Sequence, residues 1–203
     1  MPLALVLRDM LRRCDTAREA RSILNSRSVL VDGRPITDPK FAIGVMDVLA
    51  LKATQEQYRM VVDRLGRLHL VPIDEAQAAW KLCRIEDKTT QRAGKVQLNL
   101  HDGRNILLPA NEYATGMTLK LAVPKQTVIG QYPLEPGAIA LMIGGQHVGE
   151  LAHVERVERT RNPRANVVHF TEGFSTDVTK VFVIGKDTPE VPIPETSAIE
   201  VKA

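Results

Sequence analysis

Cysteine is scarce in this chain: Cys14 and Cys83 are far apart, and neither has a second cysteine nearby. That excludes a disulfide framework or a zinc knuckle and predicts a reducing compartment. Aromatic residues make up only 4% of the sequence, which favours small β-rich modules of Val, Ile and Leu over one large core. Long apolar runs are missing as well. The opening stretch LALVL is cut short by Arg8 and Asp9, and AIALMI from Ala138 is too short to cross a bilayer. A soluble cytoplasmic protein with no membrane partner is expected. Catalytic signatures are absent too. There is no Walker loop, dinucleotide fingerprint or G-x-S-x-G elbow, and Gly144-Gly145 has no helix after it to hold phosphate. The five histidines (His69, His101, His147, His153, His169) show no metal-ligand spacing, and His153 falls in a strand pattern where a structural role is expected. The residues predict no enzyme, no catalytic group, no metal and no cofactor.

What is present is positive charge in one place. The chain has 203 residues and a formal net charge of +3. Residues 1–40 contain eight Lys/Arg (Arg8, Arg12, Arg13, Arg18, Arg21, Arg27, Arg34, Lys40) and five acids (Asp9, Asp15, Glu19, Asp32, Asp38). The remaining residues hold nineteen of each sign, so the whole excess lies in the first forty. An anionic partner is expected there.

Local patterns say how that segment folds. Leu3, Val6, Leu7, Met10 and Leu11 follow the helical period, predicting a helix from Leu3 to about Arg13. A second helix begins near Thr16, where Thr16 and Glu19 make a capping box. At about 100° per residue, Ala17, Ala20 and Leu24 share one face, while Arg18, Arg21, Ser22 and Asn25 share another. VLV then reads as a strand, Asp32-Gly33 as a two-residue type I′ turn, and DVLAL from Asp47 as a third strand. Farther on, YRMVVD and LHLVP flank a turn at residues 64–67, and an amphipathic helix is expected from Asp74 to Leu82 with Trp80 in the core. KVQLNL and NILLPA flank a second Asp-Gly hairpin at His101 to Arg104. A boundary is expected near Pro124 to Gln126. Beyond it IALMI, HVGELAHVERV, NVVHFT and VFVIG suggest a small barrel, and from Asp187 three prolines and scattered acids suggest a flexible tail.

Guanidinium groups are planar, permanently charged and able to bind two oxygens at once. Arg18 and Arg21 on one helix face, with Arg27 and Arg34 flanking the adjoining hairpin, therefore suit a nucleic-acid backbone. The order TAREAR, a short linker, then VLVDGR resembles the alpha-L (S4-type) RNA-binding module. KLCRIEDKTTQRAGKVQLNLHDGRNILLP, from Lys81 to Pro109, resembles the central domain of the ribosomal S4e family of archaea and eukaryotes. PLALVLRDML, FAIGVMDVLAL, GGQHVGELAHVERV and VFVIGK follow the same family in collinear order from about Pro2 to Lys186.

The resemblance implies an α+β, mostly β, multi-domain protein. Its modules would be an alpha-L module at 1–47, a central β-rich domain at 48–124, an SH3-like KOW barrel at 125–186 and a tail at 187–203. It implies a structural constituent of the small ribosomal subunit, monomeric outside the ribosome. The partners would be the subunit's ribosomal RNA and neighbouring ribosomal proteins. Carried over, the RNA-contacting residues would be Thr16, Arg18, Arg21, Arg27 and Arg34. The loop Lys88-Thr89-Thr90 and the turn His101 to Asn105, with Arg104 and Asn105, would add to them. The family's usual basic arm has no counterpart before Leu3. Val148, Glu150 and Ala152 stand where its KOW element typically has lysines and glycine, so that element is expected to pack against protein, leaving Arg159, Arg161 and Arg164 as its basic candidates. The alternatives are an RNA-modifying enzyme of the pseudouridine-synthase kind and a transcription-associated KOW module. For the enzyme, Asp63-Arg64-Leu65 has the wrong order for the Arg-Leu-Asp that such enzymes carry.

Overall fold

The structure is a computed structural model and describes residues 1–160 and 165–193. It is mostly β, with few helices, and its contacts separate two compact units. The first comprises Met1–Val62, Leu68–Lys81 and Ala122–Thr127. The second comprises Asp63–Arg67, Leu82–Leu121 and the chain from Val128 onward.

In the first unit, helix α1 (Leu3–Leu5) runs directly into a π-helical stretch at Val6–Met10. The Leu11 N–H reaches Val6 O at 3.0 Å, the Arg13 N–H reaches Leu7 O at 2.9 Å, and Arg12 turns out of the helix at φ 51°. The expected helix to Arg13 therefore closes early, while Leu3, Val6 and Leu7 are fully buried. Helix α2 (Ala17–Asn25) starts at the predicted capping box. Thr16 Oγ1 accepts from the Glu19 N–H at 3.2 Å, and Glu19 Oε2 accepts from the N–H of Thr16 at 3.3 Å and of Asp15 at 2.9 Å. Ala20 and Leu24 are buried as expected, but Ala17 is exposed. It is the first residue of the helix.

Strands β1 (Val29–Val31), β2 (Arg34–Pro35), β3 (Val48–Leu51), β4 (Glu56–Val62) and β5 (Leu68–Pro72) form an antiparallel sheet of order β2-β1-β3-β4-β5. The β1–β2 turn has Asp32 at φ 50° and Gly33 at φ 74°. Both central residues at positive φ define the type I′ geometry, which glycine adopts without a Cβ penalty. Leu24 and Ala20 pack with Val29, Val31, Leu49 and Met60, so the apolar stripe of α2 is what holds its arginine face outward. Truncating a residue such as Leu24 in that core would cost about 2–5 kcal/mol.

The second unit carries two more five-stranded sheets. One contains β6 (Trp80–Thr90), β7 (Val96–Leu100), β8 (Asn105–Leu108), β9 (Thr118–Ala122) and β10 (Thr127–Tyr132) in the order β10-β9-β6-β7-β8. The other contains β11 (Ile139–Met142), β12 (Leu151–Glu158), β13 (Val167–Phe170), β14 (Ser175–Asp177) and β15 (Val181–Gly185) in the order β14-β13-β12-β11-β15. Arg84, 5% exposed, joins them: its Nη1 donates to Thr179 O at 2.7 Å and to Val181 O at 2.8 Å. Gly149 (φ 77°) is required by close approach, since a Cβ there would lie 2.2 Å from Asp63 O.

Four expectations are corrected. The helix expected over Asp74–Leu82 is the single turn α3 (Glu75–Ala78), and the chain is already strand at Trp80 because β6 pairs within the sheet. Trp80 is half-buried rather than core; the Arg59 guanidinium lies 4.4 Å from its ring centroid. The turn after Ala122 joins β9 and β10, neighbours in one sheet, so the boundary expected near Pro124 falls inside a hairpin. The tail expected from Asp187 begins folded: Pro189 bridges Gly185, Glu190 N–H donates to Ile184 O at 2.9 Å, and Val191 is 2% exposed. Residues 194–203 lie outside the described residues.

Candidate nucleic-acid interface

The helix–hairpin corner of the first unit presents its cations to solvent. Arg18 and Arg21 lie one helical turn apart on α2, exposed together with Ser22 and Asn25. Arg27 sits just past the helix in the left-handed conformation (φ 56°), with its N–H on Leu24 O at 3.0 Å. Its charge there complements the carbonyl end of the helix. Arg34 opens β2, opposite Val31, and is exposed.

Ion pairing divides the eight cations of residues 1–40. Arg8 pairs with Asp9 at 2.7 Å and Arg13 with Glu56. Among the described residues, Arg12, Arg18, Arg21, Arg27, Arg34 and Lys40 have no carboxylate partner. The acids nearby are turned to other uses. Glu19 is held below the usual carboxylate range by the N–H groups of Asp15 and Thr16, so its charge is spent on the cap. Asp32 is 2% exposed and faces inward to Lys81. Thr16 itself has its hydroxyl engaged in the same cap.

Beneath this surface lies a buried charge cluster that sequence reasoning missed. Lys81, fully buried, places its Nζ 3.0 Å from Asp32 Oδ2 and hydrogen-bonds Asp47 Oδ1. The other oxygens are satisfied by backbone: Asp32 Oδ1 accepts from the Val48 N–H at 3.0 Å, Asp47 Oδ2 from the Gly44 N–H at 2.7 Å. Burial raises the Asp47 carboxyl above its ordinary value and Asp32 adds to this, against the opposing pull of Lys81. The cluster fixes the hairpin turn that carries Arg34. Nothing in the local sequence pairs positions 32 and 81; the turn chemistry explained Asp32 without it.

The remaining predicted residues belong to the second unit and do not join one surface. Lys88, Thr89 and Thr90 lie on β6, correcting the expected loop. Lys88 Nζ donates to Asn111 Oδ1 and to Tyr113 O, each at 2.8 Å. Arg104 pairs with Asp102 at 3.1 Å, while Thr89 and Asn105 are exposed. Gly103 stands at φ 81° and serves the turn. His101 and Asp102 come close to Cys83, a proximity the sequence spacing hid. Those groups are occupied: His101 Nδ1 accepts from the Arg84 N–H at 3.2 Å, and Asp102 Oδ2 holds Arg104. In the C-terminal sheet Ala152 is 1% exposed, Glu150 pairs with His147 at 2.9 Å, and Val148 faces Gly66. Arg159 is exposed; Arg161 and Arg164 lie outside the described residues. Asp63 caps its own turn, with Oδ1 accepting from Leu65 and Arg67 N–H groups.

Capped helix, arginine face and type I′ hairpin define the class of an S4-domain protein. The S4 domain family matches residues 1–49, and the ribosomal family S4e matches residues 54–128. The small ribosomal subunit protein eS4 of Methanothermobacter thermautotrophicus is 43% identical over 198 residues, covering 96% of this chain and 81% of that protein. Its counterpart in Methanocaldococcus jannaschii is 39% identical, over 93% of this chain and 81% of its own length. The crystal structure of the 30S ribosomal protein S4e from Thermoplasma acidophilum matches with a TM-score of 0.81 at 33% identity, covering 91% of this chain and 94% of that one. The chain belongs to the ribosomal S4e family.

Proposed function

We propose that this chain is a structural constituent of the small ribosomal subunit and binds ribosomal RNA through the helix–hairpin surface of its first unit. The observation that carries the interface is that Arg18, Arg21, Arg27 and Arg34 are exposed and have no carboxylate partner among the described residues. Unpaired guanidinium groups on a rigid corner neutralise phosphates without first breaking an internal ion pair. Thr16 acts by capping α2. In the second unit, Thr89 and Asn105 are the accessible contacts, while Lys88 and Arg104 first hold the protein's own groups. The role is positional, with no chemical step. The protein is cytoplasmic and monomeric outside the ribosome, with ribosomal RNA and neighbouring ribosomal proteins as partners.

The proposed modules are the alpha-L module at 1–47, the central domain from 48, an SH3-like KOW barrel built on β11–β15, and a tail. The central domain extends past 124 to include β10.

Co-sedimentation of the tagged chain with ribosomal particles across a salt series tests the function. With about four phosphate contacts, raising salt from about 50 to 200 mM weakens binding roughly a hundredfold. Arg18→Ala with Arg21→Ala is expected to weaken binding at low salt while leaving the fold intact. Unchanged binding of that folded variant would sink the interface, and migration of the unmodified chain as free protein would sink the ribosomal role.

A further inference from the structure

The β6–β7 hairpin carries a second polar surface, distinct in chemistry from the arginine corner. On β7 the residues alternate: Val96, Leu98 and Leu100 are buried, so Gln97 and Asn99 point to the opposite, outer face. Thr89 of β6 and Leu107 of β8 stand beside Gln97 in register, which puts all of them on that face. The side chains there are already linked. Gln91 Nε2 donates to Gln97 Oε1 at 3.1 Å, Gln97 Nε2 to Asn99 Oδ1 at 2.9 Å, and Asn99 Nδ2 to Thr89 Oγ1 at 3.3 Å. Each amide so held keeps a second N–H and a second lone pair. At the tip of the same hairpin, Arg92 and Lys95 are exposed, and among the described residues neither has an ionic or hydrogen-bonding side-chain partner.

We propose that this face is a second RNA contact, with Arg92 and Lys95 on phosphates and the Gln97–Asn99 amides on 2′-hydroxyls or base edges of the adjoining nucleotides. The proposal rests on the ribosomal-RNA reading above. The chemistry favours RNA as occupant. Two free cations at one end meet phosphate, and neutral amides that both donate and accept match sugar hydroxyls and base edges. A protein partner would have to satisfy the same row of amides with its own buried polar groups, and among the described residues of β6–β8 Leu107, at 55% exposure, is the one exposed large apolar side chain in register with them. The pre-linked amides lose little freedom on binding.

The test measures binding of the full chain to small-subunit ribosomal RNA from its own source cells, across a salt series. Arg92→Gln with Lys95→Gln is expected to weaken binding about tenfold and to flatten the slope of log affinity against log salt by about 1.5. Gln97→Ala with Asn99→Ala is expected to weaken binding several-fold with the slope unchanged. If both variants bind like the parent while Arg18→Ala with Arg21→Ala does not, the second contact is overturned and the arginine corner stands. Normal RNA binding combined with loss from assembled particles would also overturn it, by naming a protein as occupant. No RNA binding by the parent chain would overturn both readings. As a check independent of any variant's folding, cross-linking of 4-thiouridine-substituted RNA to the parent chain should label peptides spanning residues 89–99, and their absence among the labelled peptides counts against the proposal.

Discussion

The arginines of α2 and those of β4 and β6 have the same side chain and opposite employment. Arg18 and Arg21 are exposed with no carboxylate partner among the described residues. Arg59 is fully buried, its Nη2 donating to Gln77 O at 2.7 Å and Trp80 O at 3.0 Å, and Arg84 is spent on Thr179 O, Val181 O and Glu86. The first pair hold their charge available; the second use it to satisfy carbonyls that would otherwise be stranded. Charge counted along the chain treats both alike, and partners separate them.

The comparison breaks most visibly at Lys81. Lys81→Met leaves the Asp32 and Asp47 carboxylates buried without their cation and is expected to cost about 3–5 kcal/mol, read as a lowered thermal midpoint. Asp47 is an acid whose folded pKa lies above its ordinary value, so ionising it opposes folding. Losing Lys81, which pulls that value down, raises it further, so the deficit relative to the parent should be greatest at neutral pH and shrink as pH falls from the variant's folded value to the parent's, both above the ordinary carboxylate value. A deficit independent of pH would mean that the carboxylates are not the cause. Arg84→Met strands two carbonyls and should cost about 2–4 kcal/mol, with RNA affinity preserved in the folded fraction. Equal loss of affinity would blur the distinction drawn here.

Thr16→Ala removes the helix cap beneath the arginine face and is expected to cost about 1 kcal/mol by denaturant titration. The smallest effect belongs to Glu190, which pairs with Lys120 at 2.7 Å. Hydrogen bonds from Lys120 and then Tyr132 hold its carboxyl below the ordinary value. The pair is partly exposed, so Glu190→Gln should cost under about 1 kcal/mol. That stabilisation is present above the ordinary glutamate value and is lost as pH falls through the depressed folded value. Hydrogen exchange at Val191 checks it.

Much of this fold could be read along the chain wherever a few neighbouring residues decide the outcome. Thr16 and Glu19 mark the start of α2, Asp32-Gly33 marks a type I′ hairpin, and the 100° period separates Arg18 and Arg21 from Leu24. Reading fails where distant pairing decides. DEAQAAWKL has a helical pattern, yet Trp80 onward is drawn into β6 by its sheet neighbours. Strands β9, β10 and β14 escaped notice for the same reason. The Lys81 cluster spans 34 and 49 positions, beyond any local rule. The Gln97–Asn99 row could have been seen in the alternation of VQLNL; attention to charge passed over neutral amides.

Lys81 has one consequence that concerns time. When the first forty-nine residues of a nascent chain have been synthesised, the cation that steadies Asp32 and Asp47 has not yet been added. At roughly 5–20 residues per second, the hairpin waits on the order of seconds for it. Until then the corner bearing Arg34 lacks its internal counterweight. The corner encoded first is completed only by a lysine encoded later, so a growing chain finishes it after most of its first unit has been synthesised.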